Sequence, residues 1–130
     1  MEIQIIKIDD STEDILVNFT TPYGEGRAFW NGTKKYKPEL NEKYKVEYDI
    51  SDTLEWGKEI TLSKNNDFSI ETTEDGIRLT GKLEGVDRDG IAELRFGESI
   101  IQLEIEGGKL PTGKFVDINT NEIEIYEKAY

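Results

Sequence analysis

Cysteine and histidine are both missing from this chain. Their absence removes disulfides, thiol nucleophiles, imidazole bases and the ligands of most transition-metal sites, so any metal would have to be hard and oxygen-bound. Neither a metal nor a cofactor is expected. Proline is scarce, at three in 130 residues, and no apolar run is long enough to cross a membrane as a helix. The start, Met1-Glu2-Ile3-Gln4, carries an acid where a secretory signal carries a base, and a cytoplasmic location is the expectation. A 3.6-residue apolar period over ten or more residues is lacking too, and β-branched and aromatic residues dominate the apolar positions. Little or no helix is expected.

What the chain has instead is alternation. From Ile77 to Tyr126 the apolar residues fall into five short period-2 runs: Ile77, Leu79 and Leu83 with Gly81 and Gly85 between them, then Ala92 to Phe96, Ile101 to Ile105, Val116 with Ile118, and Ile123 with Ile125. Leu79, Leu83, Leu94, Phe96, Ile101, Leu103, Val116 and Ile123 are the expected core of this half. Earlier runs hold Ile3 to Ile8, Ile15 to Phe19, Phe29 with Trp30, Tyr44 to Ile50, Ile60 with Leu62, and Phe68 with Ile70. Such runs, bounded by Asp, Asn, Gly and Pro, are the signature of half-buried strands. The apolar phase slips by one between Ile5 and Ile6, which predicts a bulge. Leu, Ile, Val and Phe make up 34 of 130 residues, enough apolar matter to fold. The expected fold is all-β, an antiparallel barrel or sandwich of about ten or eleven short strands. It is read as one domain over residues 1–130, with two β lobes, 1–65 and 66–130, sharing a core as the alternative.

A weak internal echo fits the lobed form. The stretches Pro38 to Val46 and Pro111 to Val116 each run from Pro through Lys to an aromatic residue that opens a strand, the pattern of a tandem duplication of five strands and five. The half from Ile77 to Tyr126 resembles an OB-fold in its long, glycine-containing first strand and its hairpin-hairpin-loop-strand-strand order. It departs from that family where a helix usually joins strands three and four, since residues 107–112 are too few for one. The resemblance implies a face and loops that bind oligonucleotides or oligosaccharides, with no family residue to carry over.

The net charge is −12, a field that repels phosphate backbones and anionic membranes and attracts basic partners. Residues 1–65 carry 9 basic and 13 acidic side chains, against 7 and 15 in residues 66–130, so the acidity is concentrated in the second half. One window runs the other way. Between Gly26 and Lys37 lie Arg27, Lys34, Lys35 and Lys37 with no acid, beside Phe29, Trp30 and Tyr36. That combination can stack bases and hold phosphates, although a packed Phe29–Trp30 pair followed by a solvated lysine loop accounts for the same residues.

Catalysis finds no support. The serines lack a nucleophile elbow and a histidine partner, and no glycine-rich phosphate loop precedes a helix. Asp87-Arg88-Asp89-Gly90 lacks calcium-loop spacing and reads as a hairpin turn. The expectation is therefore a non-enzymatic inhibitor or immunity-type protein that binds a basic partner such as a toxin or nuclease through Glu84, Asp87, Asp89, Glu93, Glu98, Glu104 and Glu106. Nucleic acid is disfavoured and a membrane is not expected. The alternative is an OB-like binder of single-stranded nucleic acid or oligosaccharide that works through Trp30, Lys34, Lys35, Tyr36 and Lys37.

Overall fold

The computed structural model describes residues 1–31 and 37–127. Twelve strands and no helix occur among them: β1 (Glu2–Asp9), β2 (Leu16–Thr21), β3 (Gly24–Trp30), β4 (Lys43–Asp49), β5 (Leu54–Glu55), β6 (Ile60–Leu62), β7 (Ser69–Thr73), β8 (Gly76–Val86), β9 (Ile91–Phe96), β10 (Ser99–Glu106), β11 (Phe115–Thr120) and β12 (Glu124–Glu127). The all-β expectation holds, and alternation is its cause: in β10 every second residue from Ser99 is buried and the others face solvent.

A first ring closes in the order β1-β2-β3-β12-β4 and back to β1. Its closing strand β12 runs antiparallel to β4 and parallel to β3, through Glu124 with Phe29 and Ile125 with Trp30. The strands of the second half do not close among themselves. β12 leaves them for the first ring, and the order β8-β9-β10 is completed by β5 and β6 from the first half. β5 pairs parallel with β10, turns at Gly57, and continues as β6, which pairs antiparallel with β11, the neighbour of β8. Each half thus supplies the strand that closes the other. Alternation reports which face of a strand is buried and is silent about its neighbours, so placing Ile123 and Ile125 with the second-half strands needed this correction.

The meanders of the two rings match in register. Leu16 pairs with Phe29 and Thr21 with Gly24 in one; Ile91 pairs with Glu104 and Phe96 with Ser99 in the other. The expected bulge lies between Ile5 and Lys7, and β8 carries one between Leu83 and Gly85 at the equivalent place. Ahead of the fourth strand, the Asn41 N–H donates to the Ile5 carbonyl and the Gly113 N–H to that of Leu83. Both residues hold positive φ, 68° and 85°, a conformation that Gly and Asn reach at least cost. β7 stitches the rings together, antiparallel to β8 and touching β3 where Ile70 meets Gly24.

The buried side chains form one continuous cluster that includes all eight residues expected in the second-half core, none more than 1% exposed. Aromatic rings cross between the rings of strands. Phe96 on β9 lies 5.6 Å from Tyr48 on β4 and 5.5 Å from Tyr23 in the β2–β3 turn, edge-on or tilted as aromatic quadrupoles prefer.

Candidate binding face

The acidic residues singled out by sequence divide by position. Glu93 and Glu104 lie between buried neighbours, Glu84 and Glu106 each follow one, and all four are exposed on the outer face of the β8–β10 meander. Asp87 and Asp89 lie in the β8–β9 turn. Asp87 Oδ1 accepts from the Asp89 and Ile91 N–H groups at 2.9 and 3.0 Å, and Gly90 follows at φ 81°, a local carboxylate-to-backbone turn. Glu98 lies at the opposite end, its carboxylate 3.9 Å from the Met1 ammonium.

Not all of the face is available as free charge. Glu84 Oε1 accepts from Arg95 Nε at 2.6 Å, and Glu104 accepts from the Thr53 hydroxyl at 3.0 Å. Among the described residues, the carboxylates of Glu93 and Glu106 have neither ion pair nor hydrogen bond.

Glu104 also edges a cleft of about 260 Å³ between β10 and the segment leaving β4, which it shares with Asp49, Ser51, Gln102 and the apolar Ile50, Ile91 and Leu103. A smaller cleft of about 140 Å³ lies on the first ring, between β2–β3 and the segment leaving β11, where Arg27, Phe29, Asn121 and Glu122 line its rim. Sequence reasoning missed Asp49 and Ser51, because the linker that carries them lies some fifty residues from β10 and no pattern announces that the two meet.

The basic window is placed only in part. Lys34, Lys35 and Tyr36 lie outside the described residues, and Lys37 is exposed. Trp30 is only 8% exposed and packs edge-on to Tyr44 at 5.0 Å, while its indole N–H is buried with no acceptor among the described residues. Phe29, on the opposite side of β3, is half-buried. No helix of the described residues is long and apolar enough to cross a membrane. Comparison with family models, with curated proteins and with solved structures finds no match for this chain.

Proposed function

We propose that the chain is a non-enzymatic interaction module that presents the acidic outer face of β8, β9 and β10 to a basic protein, in the manner of an inhibitor or immunity protein masking a toxin or nuclease. One observation carries this reading, the contrast between the two meanders. Glu84, Glu93 and Glu104 occupy register positions that the first meander fills with Ile6, Asn18 and Phe29. Glu106 follows Ile105 as Asn31 follows Trp30, with Ile105 and Trp30 donating to the equivalent Gly90 and Ile15 carbonyls. The same scaffold forms once without these carboxylates, so the fold does not require them. Glu93 stands opposite Gln102, so its nearest like charge on β10 is the diagonal Glu104, and a basic partner would relieve that weak repulsion while gaining in association rate.

The OB-like alternative has its own support, because both rings run their third and closing strands parallel, a small closed barrel of the kind that displays ligands on an outer face. Stacking on Trp30 draws less support from a buried indole. The test is the affinity of a partner captured from the native source, measured across ionic strength for the native chain and for Glu93→Lys with Glu106→Lys. Binding that weakens steeply with salt and vanishes on charge reversal is expected. Binding indifferent to both would remove the acidic face from consideration.

A further inference from the structure

The two clefts are the same cleft made twice. Leu16, Arg27, Ala28 and Phe29 line the one on the first ring, and their register equivalents Ile91, Gln102, Leu103 and Glu104 line the one on the second. Residues 121–123 complete the first and residues 49–51 the second. These segments are themselves equivalent, since each leaves the fourth strand of a ring, as the matching pairings of Ile3 with Tyr44 and Gly81 with Val116 fix. Each cleft therefore joins a strand pair from one half to the linker by which the other half crosses over. The exchange of closing strands is what creates them.

Their chemistry has diverged. The first cleft sets Arg27 against Glu122 and is balanced. The second has the carboxylates of Asp49 and Glu104, the Gln102 amide and the Ser51 hydroxyl, with no cation among its lining residues, over Ile50 and Leu103, which are 4% and 1% exposed. Its volume is below the range of about 300–1,000 Å³ typical of small-molecule pockets. An apolar floor with acceptors at the rim suits a long basic side chain, whose methylenes lie on apolar surface while the charged head meets carboxylates. We infer that the cleft formed by Asp49, Ser51, Gln102 and Glu104 receives one arginine or lysine side chain of the basic partner. This rests on the acidic-face reading and fixes where the partner's anchor would enter.

The test uses the full chain, uniformly ¹⁵N-labelled and titrated at low salt with a hexa-arginine peptide, with hexa-citrulline as the uncharged control. Saturable amide shifts are expected at residues 49–51 and 102–104, absent with citrulline. Asp49→Asn and Glu104→Gln should each weaken binding about three- to fivefold, the scale of a partly exposed ion pair. A gain-of-function arm guards against simple surface damage: Arg27→Gln with Phe29→Glu gives the first cleft the second one's strand chemistry, and a second set of shifts should appear at residues 121–123. Shifts confined to Glu84, Glu93 and Glu106 and unaffected by Asp49→Asn would overturn the cleft while leaving the acidic face standing. No binding of either peptide at low salt would overturn both.

Discussion

Because each ring is closed by a strand of the other half, damage to a closing strand should be felt by the ring it does not belong to. Leu54 is the sharpest place to test this. It sits on β5, is 1% exposed, and pairs with Ile105 of the second ring, while the chain on its N-terminal side runs back through β4 into the first. Truncating a fully buried leucine to alanine costs about 2–5 kcal/mol through lost transfer energy and the cavity left behind. With a urea slope of about 2 kcal/mol per molar, the middle of the range for small proteins, the midpoint should fall by roughly 1–2.5 M. The chain holds only two tryptophans, and they report on different rings: Trp30 ends β3 in the first, and Trp56 follows β5 in the second. Urea unfolding of Leu54→Ala, followed by fluorescence in Trp30→Phe and Trp56→Phe backgrounds, should show both signals moving together. Ile125→Ala, on β12, should produce the converse at similar cost, lowering the midpoint seen by Trp56. The contacts of Phe96 with Tyr23 and Tyr48 give the coupling a second route. A Trp30 midpoint unmoved by Leu54→Ala, or two separated transitions, would refute the interlocked arrangement.

Two further outcomes are expected. Burial, and secondarily the neighbouring Glu47 carboxylate, push the Tyr48 phenol well above its ordinary value. The unfolded chain would ionise this tyrosine near pH 10 while the folded chain keeps it neutral, so its contribution is complete below pH 10 and is lost as pH rises further, by up to about 1.4 kcal/mol per pH unit. Urea midpoints between pH 8 and 11 should fall more steeply for the native chain than for Tyr48→Phe. At Asn41, whose φ is 68°, substitution by Gly should be tolerated and substitution by Ala should cost about 1–2 kcal/mol, read from thermal unfolding; equal effects of the two would mean that the left-handed turn is not held.

Period-2 alternation made the strands legible, with their buried faces and the bulge at Ile6, because each is a property of residues close in sequence. The likeness of the two meanders was visible only as a faint echo around Pro38 and Pro111. What the rings share is register and hydrogen bonding, and those survive replacement of Phe19 by Leu94 or Ala28 by Leu103 while the sequence likeness fades. The exchange was not legible, since β5 and β12 read equally well beside either neighbour, and pairing over fifty or more residues leaves no local mark. Asp49 and Ser51 were hidden for the same reason. Glu84, Glu93, Glu104 and Glu106 could be found, because alternation alone places all four outside.

The pairing of the two meanders also explains how one face could become acidic without loss of the fold. Inward positions are held apolar in both copies, Ile5 with Leu83, Val17 with Ala92 and Phe19 with Leu94, all fully buried. The outward positions between them touch solvent, where substitutions usually change stability by no more than about 0.5 kcal/mol. Copying the first ring onto the second, by Glu93→Asn with Gln102→Arg, should therefore leave the urea midpoint within that range, or raise it slightly by removing repulsion across β9 and β10. The same double substitution should weaken hexa-arginine binding, since it removes one carboxylate from the face and places a guanidinium at the rim of the cleft. Stability and binding separate cleanly here: a loss of more than about 1 kcal/mol would mean that the outer residues support the scaffold, and that the carboxylates are there for the fold and not for a partner.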